Sequence, residues 1–425
     1  MPKAKFALII LFFVFFALGS ADAQEILSWQ ECIKESAKNN PDLIAAQETI
    51  KQYEATKKIT ASTLYPQVDS NLNASTARSA SNETPGTVSD SYTYGVSGTQ
   101  LIFDGLKTVN DVNAAKENIK ASQQGYKFTS SEVRLGLRTA FINLLTAQEL
   151  IKVTEDIARI RRENYELISL RYESGLEHRG ALLTAEADLA QANFQIAQAK
   201  RDIETAQWQL MKEMGRKEFK PVSVKGDFTV VDSAKKKPDY EALAKDNPSL
   251  QQLIAQKNAA EFGLRSAYAE FFPTLSGQAG ASKEGTLYPP RGDNWNLGLV
   301  LSMPIFEGGL RLAQVSKAKA LLNQLQANER STKDGIVVTL AQAWASLQDA
   351  VETVDVQYKS LIATEERSKI AEAQYSTGFI SYDNWTIIED NLVSAKSAYL
   401  NAQSNALTAE ASWIQAKGEV LEYAQ

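Results

Sequence analysis

Two long stretches without proline constrain this chain more than any other feature. None of its 11 prolines lies between Pro85 and Pro221, and none follows Pro304. Because proline breaks helix interiors, both stretches permit long helices. Within them, residues 106–172 and 309–375 would each form a helix about 100 Å long at a rise of about 1.5 Å per residue. That length exceeds an ordinary globular domain, so the chain is predicted to be elongated and mainly helical.

Apolar residues in these stretches recur with the spacing of a coiled coil. Steps of three and four residues alternate from Val337 to Leu361, from Trp385 to Trp413 and, 203 residues earlier, from Leu182 to Leu210. A sustained repeat of seven residues specifies helices that wind around each other. We predict two long antiparallel hairpins, built from helices at about 106–172, 181–214, 309–376 and 384–418.

The chain also repeats itself. Four short motifs recur in order, the first two at an offset of 207 residues and the last two at 203. They are Asn40-Pro41-Asp42-Leu43 with Asn247-Pro248-Ser249-Leu250, Tyr65-Pro66 with Phe272-Pro273, Phe103-Asp104-Gly105 with Phe306-Glu307-Gly308, and Tyr172-Glu173-Ser174-Gly175 with Tyr375-Ser376-Thr377-Gly378. This order predicts two copies of one unit, at residues 24–218 and 219–425.

The segments ahead of the long helices alternate between apolar and polar residues. In one of them Trp295, Leu297, Leu299, Leu301 and Met303 alternate with Asn294, Asn296, Gly298, Val300 and Ser302. A period of two is typical of strands, which we predict at about 66–79, 91–104, 273–283 and 293–305. Strands of about 10 residues are long enough to cross a membrane when they are tilted.

Four strands are too few to close a barrel. The smallest transmembrane barrels have about eight strands, and an open sheet edge in lipid leaves backbone groups unpaired. The chain is therefore expected to associate with copies of itself. Three chains would supply twelve strands, which is enough to enclose a lumen, and twelve long helices to extend it.

The N-terminus has the features of a secretory signal. Lys3 and Lys5 precede an apolar run over residues 6–18, and the triplet Ala21-Asp22-Ala23 follows. The run is shorter than the roughly 20 residues of a membrane-spanning helix. Residues 1–23 are therefore predicted to be a cleaved signal peptide, and the mature chain to function beyond a bacterial inner membrane.

Composition argues against several classes of function. One cysteine, Cys32, and one histidine, His178, provide neither a disulfide framework nor a Cys/His zinc site. A net charge of -6 argues against a general nucleic-acid binder. The chain contains no Gly-x-x-x-x-Gly-Lys-Ser/Thr motif for nucleotide phosphates. We therefore predict no enzymatic activity, no cofactor, no metal and no nucleic-acid partner.

The ordered double set of motifs behind a signal peptide resembles the TolC-type family of outer-membrane efflux proteins. The resemblance covers essentially the whole mature chain. It implies a homotrimer with a 12-stranded transmembrane β-barrel in the lipid of the bacterial outer membrane and a long α-barrel in the periplasm. It also implies an equatorial belt of short segments, formed by the helix near Ser28 to Lys38, residues 215–247 and the C-terminus.

The same resemblance implies a passive exit duct. Substrate would pass from an inner-membrane efflux pump or ABC exporter, through a periplasmic adaptor of the membrane-fusion type, to the outside. Service as the outer-membrane component of type I protein secretion is an alternative, because the two roles differ only in partner. A structural coiled-coil protein of the periplasm is a third. The sequence leaves the substrate open among drugs, metal ions and secreted proteins.

The two hairpin tips are candidate contact sites. Gly175-Leu176 and Gly378-Phe379 each combine a glycine, which permits the chain to reverse, with an apolar residue. The resemblance implies that these tips dock on the coiled-coil end of an adaptor. A plain turn with a buried apolar anchor is the alternative.

Three acidic residues follow the second tip: Asp383, Glu389 and Asp390. In a three-fold tube each would form a ring of three carboxylates, and such rings favour cations. Members of the family often carry gate aspartates six and nine residues after the tip glycine, but Asn384 and Ile387 occupy those positions here. The three carboxylates are therefore a candidate constriction of their own, with a solvated helix face as the alternative.

Overall fold

The computed structural model describes residues 25–81, 84–229 and 237–421, and the predicted signal peptide at 1–23 lies outside them. The helices in these ranges are α1 (Trp29–Asn39), α2 (Pro41–Ser62), α3 (Lys107–Glu173), α4 (Arg179–Met214), α5 (Tyr240–Asp246), α6 (Pro248–Ala269), α7 (Leu310–Ser376) and α8 (Tyr382–Ala416). The strands are β1 (Glu25–Leu27), β2 (Gln67–Ser81), β3 (Thr84–Phe103), β4 (Val222–Val224), β5 (Thr274–Gly285) and β6 (Gly292–Ser302). The prediction of a mainly helical chain with a small β part is confirmed.

The longest helices, α3 and α7, have 67 residues each. Glycines with positive φ angles precede them, Gly105 before α3 and Gly308 and Gly309 before α7, and turn the chain from strand to helix. The bounds of the four long helices differ from the predicted ones by at most two residues. The difference is two residues at both ends of α8, where Ser381 caps the first turn and Gly418 follows the last turn with a φ of +78°.

The six longer helices form one layer. α3 packs against α2, α4, α6 and α8, while α7 packs against α6 and α8. The order across the layer is therefore α2 with α4, then α3, then α6 with α8, and finally α7. Among the helices of the described ranges, none is both long enough and apolar enough to cross a bilayer.

Two junctions join short helices end to end with long ones. The Asn40 side chain accepts hydrogen bonds from the first turn of α2 and donates one to the Glu213 carbonyl in the last turn of α4, at 2.9 Å. Asn247 does the same for α6, donating to the Ala416 carbonyl of α8 at 3.1 Å. The duplicated Asn-Pro motif is thus both a helix cap and a bond between helices.

A glycine completes each junction. Gly215 follows α4 with a φ of +74°, and a Cβ atom there would lie 2.3 Å from the Asn39 carbonyl oxygen. Gly418 follows α8, and its Cβ would lie 2.3 Å from Cδ of Pro248. Neither position has space for a side chain, so the close approach of the two helix ends requires glycine.

The largest apolar core surrounds the middle of α3. We call β1, α1 and β4 the belt segments; they pack against α3 and α4, and β1 pairs in parallel with β4. Trp29 of α1 lies edge-on to Phe141 of α3, with ring centroids 5.6 Å apart. Gln148 of α3 donates to the Val224 carbonyl at 2.9 Å. The belt segments therefore cover one side of α3.

The other four strands form an antiparallel sheet in the order β2-β3-β5-β6. Its register brings most apolar residues of the four strands to one face, although Leu101 of β3 and Val300 of β6 lie on the other. Cross-strand neighbours on that face are Leu72 and Tyr94, Val96 and Ala281, Ala281 and Trp295, and Ala279 and Leu297. Trp295 and Leu297 remain 81% and 78% exposed, since no other part of the described chain covers them.

The opposite face of the sheet is polar. It carries Asn71, Asn73, Thr93, Gln278 and Asn296, each on the strand position next to an apolar one. Because successive strand residues point to opposite faces, the two faces differ in chemistry at these positions, whereas near the β5–β6 turn the first face carries the ion pair of Lys283 with Asp293.

Two strand ends correct the sequence-based bounds. β3 begins at Thr84 rather than near 91, because polar residues such as Thr87 continue the backbone ladder opposite Ser79 of β2. Backbone pairing does not require the apolar alternation that the prediction used. β6 ends at Ser302 rather than 305, because Pro304 has no N–H to donate.

The junctions generate the first testable prediction. Asn247→Ala removes the helix cap and the bond to α8, and is expected to lower the free energy of unfolding by about 2 kcal/mol. Asn247→Ser keeps a capping oxygen but is too short to reach Ala416, so about half of that loss is expected. Thermal unfolding followed by circular dichroism measures both. Asn110→Ala, which removes an exposed bond to the Leu106 carbonyl, is the control. Equal losses in all three variants would contradict the double role of Asn247.

Candidate functional site

The two hairpin turns have the same backbone geometry. After α3, Gly175 has a φ of +71°, and the Leu176 N–H donates to the Arg171 carbonyl at 2.8 Å. After α7, Gly378 has a φ of +81°, and the Phe379 N–H donates to the Gln374 carbonyl at 2.8 Å. Both are glycine-dependent helix endings in which a left-handed residue closes the last turn.

The apolar residue of each turn points away from the chain. Leu176 is 67% exposed and Phe379 is 83% exposed. In glycine endings of this kind the corresponding residue usually packs back onto its own helix. A Cβ atom added to Gly175 or Gly378 would meet nothing within 4 Å. The tips therefore present uncovered apolar side chains to their surroundings, and neither Leu176 nor Phe379 is a buried anchor.

An aromatic cluster joins the two hairpins just behind the tips. Tyr375 stacks on Trp385 at 4.6 Å between ring centroids, and both are buried against Ile168 of α3 and Ala181 of α4. The Tyr375 hydroxyl donates to Oε2 of Glu177, in the turn of the other hairpin, at 2.8 Å. Burial and this hydrogen bond raise the pKa of Tyr375, so the hydroxyl stays protonated. Sequence reasoning missed this cross-hairpin contact, although the Tyr-x-x-Gly motif marks its tyrosine.

The three predicted acidic residues have different surroundings. Glu389 is 4% exposed, and Ser368 of α7 donates to its carboxylate at 2.5 Å. Asp383 is exposed in the first turn of α8, where the helix dipole favours a negative charge. Asp390 pairs with Arg161 of α3. Seven residues separate Asp383 from Asp390, so they share a helix face, whereas Glu389 is turned about 100° away. The expectation of a common constriction does not hold for Glu389.

Ionic contacts within the first hairpin and between the two hairpins lie close to these residues. The nearly buried guanidinium of Arg161 also lies 3.7 Å from Oδ2 of Asp188 on α4. Burial raises the pKa of Asp188, and the charge of Arg161 opposes that rise. Further along, Lys396 of α8 pairs with Asp156 of α3. The sequence contained these charges but no signal for the pairs Arg161 with Asp390 and Asp156 with Lys396, because each connects residues more than 200 positions apart.

Metal binding has no support in the described ranges. Residues 25–81, 84–229 and 237–421 contain no group of three or more His, Cys, Asp or Glu side chains arranged to hold a metal ion. The buried Cys32 thiol has its pKa raised to about 12, chiefly by burial, which disfavours the thiolate that metals bind.

Asp156 gives a prediction for pH. Burial opposes its ionisation, but hydrogen bonds from Lys396 and Arg159 outweigh that cost and lower its pKa. A lowered pKa in the folded state stabilises the fold above the unfolded value of about 3.9, and this contribution is lost as pH falls through the folded value. Asp156→Asn removes the titrating group, so its melting temperature is expected to fall less than that of the parent between about pH 5 and pH 3. Asp202→Asn, at an exposed position of α4, is the control. If the melting temperatures of Asp156→Asn and of the parent fall equally over this pH range, Asp156 is not the group that stabilises the fold.

Comparisons with known proteins agree with this architecture. A family model described as "Outer membrane efflux protein" matches residues 32–216 and 240–419. The outer membrane efflux protein BepC of Brucella suis is 22% identical over 95% of this chain and 84% of BepC. The probable efflux pump outer membrane protein TtgC of Pseudomonas putida is 24% identical over 92% of this chain and 82% of TtgC.

A solved structure has the same fold. The CmeC outer membrane channel of Campylobacter jejuni superimposes with a TM-score of 0.81 at 20% identity. The match covers 92% of this chain and 85% of CmeC.

Proposed function

Because this chain belongs to the outer membrane efflux protein family, we propose that it is the outer-membrane exit duct of a tripartite efflux system. An inner-membrane pump delivers the substrate, a periplasmic adaptor connects the two membranes, and this chain passes the substrate to the outside. The names of BepC and TtgC both contain the word efflux, and this favours the proposed role over type I protein secretion. Family membership also confirms the prediction that the chain is not an enzyme.

One observation carries the proposal: the sheet has two uncovered faces of opposite chemistry. Its apolar face, with Trp295 and Leu297, suits the hydrocarbon of a membrane. Its polar face, with Asn71 and Asn296, suits a water-filled lumen. In a water-soluble domain the apolar face would be packed against other elements.

The open edges of the sheet support a homotrimer. In the described chain β2 and β6 are each paired on one side, and an unpaired edge in lipid is costly. Three copies would join β6 of one chain to β2 of the next and close a barrel of twelve strands. The helix layer begins with α2 and α4 and ends with α7, as the sheet begins with β2 and ends with β6. In the trimer, α7 of one copy would therefore meet α2 and α4 of the next. Val338, Val356 and Ile370 on α7 are exposed, as expected for a face that the trimer covers.

Matching helix lengths support the duplication of one unit at residues 24–218 and 219–425. α2 and α6 have 22 residues each, and α3 and α7 have 67 each. In the trimer these helices would form the periplasmic tube, and the belt segments would surround it on the outside.

Planar-bilayer recordings test the duct and its acidic residues together. The purified protein is expected to be a trimer in detergent and to conduct ions in discrete steps. We propose that Asp383 and Asp390 face the lumen, so Asp383→Asn with Asp390→Asn should lower the ratio of cation to anion permeability. Glu389→Gln, at the buried position, is the control and should leave selectivity unchanged. A single chain in lipid nanodiscs without ion permeability would overturn the duct, whereas unchanged selectivity would remove only the acidic ring.

The exposed tips support adaptor docking. Leu176→Glu and Phe379→Glu place charges at the positions where apolar contact with an adaptor coiled coil is proposed. We expect loss of adaptor co-purification and of export, with trimer yield unchanged, because both side chains lie outside the core of the protein. Leu183→Glu, at an exposed position one turn into α4, is the matched control. Unimpaired export by the tip variants would argue that the tips are plain turns.

A further inference from the structure

A groove lies on one side of α3, between α2 and α6. Its volume of about 780 Å³ falls within the range of cavities that hold drug-sized molecules. The floor is made of small residues, namely Ala45, Ala46, Ala121, Ser122 and Gly125. Short side chains on neighbouring helices leave the space between them unfilled, although helix interfaces are usually close-packed.

One end of the groove is acidic. Asp42, Glu132 and Glu213 line it beside the junction of α2 with α4. Lys212 pairs with Glu213, with Nζ 2.9 Å from Oε1, and its pKa is raised by that hydrogen bond and, to a smaller extent, by Asp42. The carboxylates of Asp42 and Glu132 form no hydrogen bond or ion pair with the described residues. Three carboxylates against one ammonium group leave this end with a net negative charge.

Aromatic side chains continue the groove from its acidic end. Phe128 precedes Glu132 by one turn of α3, and Tyr53 lies further along α2. Both rings are exposed in the groove. Aromatic faces attract cations and stack on other rings. An acidic end next to aromatic rings therefore matches a ligand that combines a positive charge with a planar ring system.

The position of the groove on α3 places it opposite the belt segments. Glu132 in the groove and Phe141 under Trp29 are nine residues apart, which is about two and a half helical turns. Their side chains therefore point in opposite directions. In the proposed trimer the belt segments lie outside the tube, so the groove opens into the lumen.

We propose that this groove is a contact site for aromatic organic cations in the wall of the duct. The inference rests on the proposed function, since it needs the tube to place the groove in the path of the substrate. The ring system lies against Phe128 and Tyr53, and the charge lies near Asp42 and Glu132. Binding in a duct has to be weak enough to allow release, and the groove, which is open along its side, meets that requirement.

The test measures binding of ethidium, an aromatic cation, to the purified trimer in detergent by fluorescence anisotropy. The parent protein should bind it saturably, and fluorescein, an aromatic anion, should not bind. Asp42→Asn with Glu132→Gln removes two charges and is expected to weaken ethidium binding about tenfold. Thr49→Trp fills the groove from an exposed position without changing charge, and should weaken binding to a similar extent.

The control variant removes the same two negative charges at positions outside the groove. Asp349→Asn with Glu352→Gln, at exposed positions of α7, should leave ethidium binding unchanged. Equal binding by the groove variants, equal loss in the control, fluorescein binding, or no saturable ethidium binding would each overturn the site. Planar-bilayer conductance of the same preparations separates the two proposals. Conducting trimers that fail the binding test would refute the groove alone, and a parent protein without conductance would refute the duct.

Discussion

The register of the four-stranded sheet is the constraint on which the rest of the structure depends. Strand side chains alternate between faces, so a slip of one residue would move the apolar residues of a strand to the polar side. The ladders keep Leu72 beside Tyr94 and Ala281 beside Trp295, which maintains one apolar face across four strands. α3 and α7 follow β3 and β6 after short turns, so the register also fixes where the two longest helices start.

The two hairpins are joined by different chemistry at different heights. Val393 of α8 packs against an apolar cluster that contains Ile157 of α3 and Ala192 of α4. Nearer the tips Asp390 of α8 pairs with Arg161 of α3, and Trp385 is buried against Ile168 of α3. The hairpins are thus held together by an ion pair and by two packed apolar clusters, one of them directly behind the tips.

The regular features of this fold were predictable because they rest on local patterns. Helix lengths followed from proline positions and heptads, and strand faces from a period of two. The contacts between hairpins were not predictable, because Asp156 and Lys396 are neighbours only after folding. The same reason explains the error at Glu389: its place on α8 was clear, but the partner Ser368 that buries it was not. The groove could not be predicted from the sequence, because small residues such as Ala121 and Gly125 are found both in closely packed helix interfaces and beside open grooves.

The junction at Asn40 has a consequence for biogenesis. Ser36 and Asn40 both donate to the Glu213 carbonyl, across 177 and 173 positions of the sequence. A chain synthesised N-terminus first completes α1 and α2 well before their partner helix α4. At synthesis rates of about 5–20 residues per second, the delay is on the order of 10–35 s. During that interval the face of α1 that is buried in the folded chain, including Cys32 and Ile33, has no partner helix to cover it.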